Sequence, residues 1–329
     1  MLIIRPFCNA DLPRLVNVWI EHWSCLGASP PVAMATMEQA ILARTFFDPA
    51  NLLIAQSDGD VLAWCHVAVD GAVDSEIDTT VPKSGVPEES VATRSGRILA
   101  FCFSPDGGLE VCDSLLAAAE ARVKALGADE LNVGLVRDCF DGYVGLPPIG
   151  HGIGVPEGDT RMTALLARSG YTLGESISRL VASTSPYRPP INREALQFRR
   201  TTRGVRETQI PTQPRLGSAM SHFDIERHQV VDHRTAEVLA EVGLWCSDVE
   251  AQVMDGAHAI LDLTPLAEAG QLKSVESFLI GSLIQTLADR RIYSVETAIN
   301  SSQTELIGQL ESLQFENTEK GNSWKKKLI

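Results

Sequence analysis

A forty-residue stretch, Arg97 to Val136, RILAFCFSPDGGLEVCDSLLAAAEARVKALGADELNVGLV, limits what this chain can fold into more than any other. Ile98 to Phe103 is a short apolar run of strand-forming residues, and Ser104-Pro105-Asp106-Gly107-Gly108 ends it with turn chemistry. Leu109, Cys112, Leu115, Leu116, Ala119, Val123 and Leu126 then recur at three- and four-residue steps, which predicts a helix, and Gly127 stands where a left-handed C-cap belongs. Leu131 to Val136 is a second apolar strand. Strand, glycine turn, helix and strand make a βαβ unit, with parallel strands and a right-handed crossover. The turn before the helix offers free backbone N–H groups at the positive end of a helix dipole, a seat that suits a phosphate. A well-made βα turn without a ligand is the equal alternative.

At 329 residues the chain is long enough for two domains with cores of their own. Its 44% apolar and 21% charged residues fit a globular protein. A net charge of −14 argues against a nucleic-acid surface, since phosphate contacts need clustered Lys and Arg; the one dense cluster, Lys325-Lys326-Lys327, is expected to be a solvated tail. The seven cysteines have no C-x-x-C spacing, so neither a disulfide framework nor a zinc cluster is indicated. No targeting segment or membrane-length apolar run is visible, which predicts a cytoplasmic protein without membrane partners.

In chain order, Leu2 to Arg5 reads as a strand, Leu12 to about Trp23 as a helix, and Met34 to about Phe47 as a second helix after the break at Pro30-Pro31. Asn51 to Gln56 and Val61 to Val69 flank Ser57-Asp58-Gly59-Asp60 as a hairpin. Residues 70 to 96 carry no periodicity and are expected to be a loop. After the βαβ unit comes an irregular segment over 137 to 159, then a helix from Thr160 to Ser169 closed by Gly170-Tyr171.

This order resembles the GNAT superfamily of N-acyltransferases. Ile4-Arg5-Pro6 with Asp11-Leu12-Pro13 matches a frequent opening of that family, and Leu165-Leu166-Ala167-Arg168-Ser169-Gly170-Tyr171 is similar to its closing helix. The resemblance covers roughly residues 1 to 185. It implies an acyl-CoA donor, acetyl-CoA or another acyl-CoA, along Cys102, Phe103, Ser104, Gly107, Gly108, Leu109, Val111 and Cys112. Against the family's acyl-CoA loop, Gly107, Glu110 and Cys112 stand at the three signature places, and Glu110 puts a negative charge where a pyrophosphate would approach. The family's tyrosine acid falls on Leu166, which cannot transfer a proton. Tyr143 and His151, in the irregular segment beside the parallel strands, are the candidates to replace it.

Beyond Pro186 a basic, proline-rich stretch is expected to be a linker (186 to 195) with one strand from Leu196 to about Arg203. The order then repeats: a hairpin from His222 to Val231 and Thr235 to Trp245, a strand from Ala257 to Leu263, a helix from Ser274 to Leu287, a strand from Ile292 to Asn300, and a helix from Thr304 to Leu313. Pro105 and Pro265 stand 160 residues apart, whereas the closing helices are only 144 apart, so the first copy carries an insertion of about sixteen residues within 137 to 159. Gln271, Ser274 and Glu276 take the acyl-CoA loop places of the second copy, and its tyrosine place is Leu310. Gly150-His151-Gly152-Ile153-Gly154 imitates a nucleotide loop without a strand before it or a helix after it. Cys139, His151 and Asp141 or Asp159 could form a thiol-imidazole-carboxylate set. His222, His228 and His233 lack metal-ligand spacing and are expected to face solvent.

The expected fold is therefore α/β: two GNAT-like domains, 1 to 185 and a trimmed one over 196 to 329, each a mixed, mostly antiparallel sheet with a parallel βαβ core flanked by helices. The expected function is acyl-CoA-dependent acetyl transfer to an amine, small molecule or peptide, centred on the first domain. The alternative is a non-catalytic CoA-binding or scaffolding relative; homo-oligomerisation stays open. A methyltransferase is disfavoured by the hairpin before the βαβ unit.

Overall fold

The two halves share one sheet. The computed structural model describes the chain except residues 28–31, 70–93, 135, 138–140, 249, 268 and 329. The first half runs β1 (Leu2–Pro6), α1 (Leu12–Ser24), α2 (Met34–Met37), β2 (Leu52–Ser57), β3 (Asp60–Val69), β4 (Ser95–Phe103), α3 (Leu109–Ala125), β5 (Glu130–Val133), β6 (Val155–Pro156), α4 (Thr160–Arg168) and β7 (Thr172–Ser183). The second runs α5 (Arg193–Thr201), β8 (Thr202–Thr208), α6 (Pro214–Ala219), β9 (Phe223–Asp232), β10 (Val238–Ser247), β11 (His258–Asp262), α7 (Thr264–Ala267), α8 (Ser274–Leu287), β12 (Ser294–Asn300), α9 (Thr304–Ser312) and β13 (Glu316–Lys327). Strand order is β1-β2-β3-β4-β5-β13-β7-β12-β11-β10-β9-β8, with β6 beside β13.

Each half lends its last strand to the other. β13 lies antiparallel between β5 and β7, and β7 pairs antiparallel with β12. The expected duplication is visible in the register: β4 runs parallel to β5 with Ile98 opposite Val133, and β11 runs parallel to β12 with His258 opposite Ser294. Those partners are 160 and 161 residues apart.

Apolar periodicity decides which face each helix covers. α3 and α4 bury Leu115, Leu116, Val123, Leu165 and Leu166 against one face of the first half, and α1 buries Leu15, Trp19 and Trp23 against the other. There Trp19 stacks on Trp64 at 5.9 Å, and the Trp64 indole N–H donates to the Leu15 carbonyl at 3.1 Å. In the second half α8 and α9 cover the corresponding first face. Among the described residues the other face carries the six-residue α6, and the insertion covers the rest: Val144 packs with Met220, Phe223, Trp245 and Ile260. Asp141 of the insertion pairs with Arg97 at 3.0 Å and with Arg215 at 2.6 Å.

Several expectations are corrected. Lys325-Lys326-Lys327 is no tail but the end of β13, a strand held by backbone pairing on both sides; only Gly321 and Trp324 in it are buried, so it lacks the apolar alternation that marks a strand. Residues 196 to 201 belong to α5, capped by the Asn192 side chain on the Ala195 N–H, and the strand begins only at Thr202. The second helix stops at Leu42 in a π turn instead of reaching Phe47. β5 ends at Val133, short of the expected Val136. Pro30-Pro31, most of the 70 to 96 segment and Cys139 lie outside the described residues.

Candidate active site

A single extra residue shapes the only long unpaired edge in the middle of the first half's described sheet. Between β3 and β4, Ala100 faces His66 and Ile98 faces Val67, so Leu99 is a bulge. It leaves Leu99 and Ala100 both on the α1 side of the strand, where both are buried, and it bends β4 away from its neighbour. Pairing with β5 stops at Ile98. The edge of β4 from Leu99 to Phe103 therefore faces a gap. In the second copy β10 pairs with β11 without a bulge, and β11 stays paired with β12 two residues further, to Ile260.

The helix starts beside the two gaps also differ. In the first half the Gly107 N–H closes a turn on the Ser104 carbonyl at 3.0 Å, and Gly108 is the N-cap of α3 without a side-chain cap. The N–H groups of Gly108, Leu109 and Glu110 find no acceptor among the described residues, as the first turn of a helix dictates. Leu109 is 69% exposed. In the second half the Glu276 carboxylate bends back to accept the Lys273 N–H at 2.7 Å, and Gln309 accepts the Leu272 N–H at 2.6 Å. That helix start carries its own anion.

The gap between β4 and β5 narrows to a cavity of about 40 Å³, lined by His22, Trp23, Ile98 to Phe101, Val133, Gly134, Gly154, Asp159 and Met162. At roughly 10–15 Å³ per water it has room for about three to four waters. His22 of α1 and Asp159, the N-cap of α4, are both nearly fully buried there. His22 Nε2 is 3.2 Å from Asp159 Oδ2, while Asp159 Oδ1 accepts the Met162 N–H at 2.9 Å. On its other side His22 Nδ1 accepts the Phe103 N–H, at a long 3.4 Å. The imidazole stands edge-on to the Phe103 and Trp23 rings. Arg161 lies 4.3 Å over the Phe103 ring and donates to the Ser104 carbonyl at 3.0 Å.

The residues singled out from sequence are spread over this geometry. Cys102 and Phe103 lie on the open edge; Ser104, Gly107 and Gly108 form the turn; Leu109, Val111 and Cys112 form the first turn of α3. Burial pushes the Cys102 thiol well above its ordinary value and Cys112 up to about 11, so neither is a ready nucleophile. Tyr143 is fully buried and its phenol shares a 2.8 Å hydrogen bond with His66 Nδ1, away from the slot lining. His151 meets neither Asp141 nor Asp159: its Nδ1 is 2.9 Å from Glu296 of the second half. The glycines around it form a 3-10 turn, and a Cβ on Gly154 would come within 2.5 Å of the Asn322 carbonyl, so this loop is shaped to admit β13. The thiol-imidazole-carboxylate set is not formed by the described residues.

His222 is a correction. It is buried, its Nε2–H donates to the Val144 carbonyl at 2.7 Å, and its Nδ1 accepts from Arg44 at 2.8 Å. His228 is partly buried against Glu226 at 2.8 Å. Sequence reading passed over His22; the signal was a histidine one turn after Val18 on the buried stripe of α1.

Burial pushes the imidazoles of His66 and His222 down to about 4. An unfolded imidazole binds its proton near 6.5, so each contributes stability that is full above that value and is lost as pH falls toward 4. At pH 5.5 the loss amounts to about 1 kcal/mol per imidazole. Urea titrations at pH 7.5 and 5.5 check it: the midpoint should fall, and should fall less in His66→Gln.

Among the described residues no helix is long and apolar enough to cross a membrane. No protein-family model and no curated protein matches the sequence. Solved structures do match. A tandem GNAT protein from the clavulanic acid biosynthesis pathway aligns over 100% of this chain and 99% of its own at TM-score 0.64 and 13% identity. A GCN5-related N-acetyltransferase from Sphaerobacter thermophilus aligns over 99% and 96% at TM-score 0.61 and 10% identity. A GCN5-related glucosamine N-acetyltransferase region of a fungal multi-domain GH3 β-N-acetylglucosaminidase aligns over 99% of this chain but 38% of its own, at TM-score 0.63 and 12% identity. At these identities the likeness is one of fold, and over its whole length this chain has the tandem GNAT fold.

Proposed function

We propose that the protein transfers an acyl group from an acyl-CoA thioester to an amine, with the acyl-CoA seated between β4 and β5 of the first half. The bulge at Leu99 carries this reading, because it opens a backbone edge beside a helix start whose N–H groups are uncommitted. An extended pantetheine arm carries amides that can pair with the Leu99–Phe103 edge. A pyrophosphate suits the N–H groups of Gly108, Leu109 and Glu110. In the second half β10 and β11 pair without a bulge, and the start of α8 already holds the Glu276 carboxylate on the Lys273 N–H. The small slot favours acetyl over longer acyl groups. The thioester supplies an activated acyl carbon, and the chain's contribution is to orient it. The Phe103 N–H, released from its long bond to His22, is placed to donate to the carbonyl oxygen as negative charge grows there.

The test is calorimetric titration of acetyl-CoA into the full chain and two charge variants. Glu110→Gln removes a like charge at the start of α3 and should tighten binding by up to about 1 kcal/mol, roughly fivefold in Kd. Lys273→Glu, at the start of α8, should change nothing. The opposite pattern would move the site to the second half, and no binding by any of the three proteins would end this reading.

A further inference from the structure

We propose that His22 is the catalytic base of this acyl transfer and that Asp159 is its positioning residue, an assignment that rests on the first-half reading above. Asp159 accepts the Met162 N–H on one carboxylate oxygen and holds the other 3.2 Å from His22 Nε2. A carboxylate can only accept, which puts the imidazole proton on Nε2 and leaves the Nδ1 lone pair pointing at the open edge of β4. That lone pair has one partner, the Phe103 N–H at 3.4 Å, well beyond the usual 2.9–3.0 Å of such bonds. A purely structural histidine of this burial would be satisfied at both nitrogens, as His222 is at 2.7 and 2.8 Å. His22 instead lines the slot with its basic nitrogen poorly engaged.

The step balances without a further reagent. A neutral amine nitrogen forms the C–N bond to the thioester carbonyl carbon, and the C–S bond breaks with its electron pair going to sulfur. The proton shed by the nitrogen passes to His22 Nδ1, and from there to the departing thiolate. The Asp159 carboxylate holds the imidazolium while it exists. Among the described residues Cys102 on β4 and Arg161 on α4 are the other titratable or charged groups beside His22 and Asp159 that bear on the slot. The Cys102 thiol is held protonated by burial and by the Asp159 charge, and Arg161 is a permanent cation, so neither competes for the proton.

Three full-length variants test it. His22→Gln keeps an acceptor for the Phe103 N–H and a donor for Asp159; its kcat should fall at least a hundredfold and lose the acid limb of the pH–rate profile, with acetyl-CoA affinity and melting temperature little changed. Asp159→Asn keeps the N-cap and should lower kcat at least tenfold. Nitrogen NMR of ¹⁵N-histidine protein should show His22 protonated on Nε2 in wild type and not in Asp159→Asn, a readout that needs no turnover. His22→Ala rescued by added imidazole would mark the missing group as a base. Turnover and pH profile that survive His22→Gln would overturn this assignment and leave the acyl-transfer reading standing. A wild type that binds acetyl-CoA but acylates no amine in a broad panel would overturn both, and an Nδ1-protonated His22 in wild type would overturn the assignment alone.

Discussion

A chain ending at Phe315 should not fold. The deletion removes β13, the strand between β5 and β7, and with it the antiparallel pairings Lys325 opposite Asn132 on one side and Gly321 opposite Ile177 on the other. It also removes Trp324, which is buried in the first-half core although it is numbered in the second half. Losing a buried tryptophan alone costs about 3–5 kcal/mol. The backbone groups of β5 and β7 would lose partners along their whole facing edges, at about 0.5–1.5 kcal/mol per hydrogen bond. Together these losses exceed the 5–15 kcal/mol that keeps a domain folded. Exposed strand edges also pair with one another, so the truncated protein is expected to aggregate. Far-UV circular dichroism through a thermal ramp and analytical ultracentrifugation check this. A soluble truncated monomer with a cooperative transition would show that the exchanged strand is dispensable. The milder variant Trp324→Ala should fold and lose about 3–5 kcal/mol.

That exchange is where sequence reading was blind, and the cause is physical. The βαβ core was legible because its helix and strands bury one face each, and Leu115, Leu116, Val123 and Val133 report that in their spacing. The repeat was legible because Pro105 and Pro265 each follow an apolar strand, 160 residues apart. β13 was not, because ENTEKGNSWKKK is positioned by main-chain pairing, and Lys326 lies along the surface over Tyr171 with its ammonium on Glu120 at 2.8 Å. The same holds for the site. Gly107, Gly108 and the strand before them marked the turn and helix start, but the bulge at Leu99 depends on register with β3, which no local pattern encodes. His22 and Asp159 are 137 residues apart in sequence and meet only because α1 and the start of α4 flank one gap. His151 was singled out as a candidate acid or base; its partner, Glu296, lies across the duplication and could not be named from spacing.

Glu296→Gln is expected to cost about 3–5 kcal/mol, the usual consequence of removing one partner from a buried ionic group. The Glu296 carboxylate is 1% exposed and sits where both halves meet. Its Oε2 accepts from Arg179 Nε at 2.7 Å and from His151 Nδ1 at 2.9 Å, with His258 Nε2 at 3.2 Å, and its Oε1 is 3.5 Å from Arg137. Glutamine keeps the shape but brings no charge to oppose two guanidinium groups, and its amide N–H₂ would face donors. Burial alone would push the Glu296 carboxyl up; hydrogen bonds from His151 and His258, with the nearby guanidinium charge, hold it well below the ordinary carboxylate range. Burial in turn pushes His151 down, against the pull of Glu296, so the pair is a neutral imidazole donating to a carboxylate. Both shifts have the same sign for stability. A carboxyl whose folded value is depressed stabilises the fold above its unfolded value of about 4.3, and that contribution is lost as pH falls through the folded value. A depressed imidazole loses its contribution as pH falls below about 6.5. The wild type should therefore weaken on acidification, and Glu296→Gln, already weakened at pH 7, should lose less between pH 5 and 3. Urea unfolding of both proteins across that range checks it. Equal stability of the two at pH 7 would mean that the four cationic and imidazole partners hold the halves together without the carboxylate, and the ionic account of this junction would have to be abandoned.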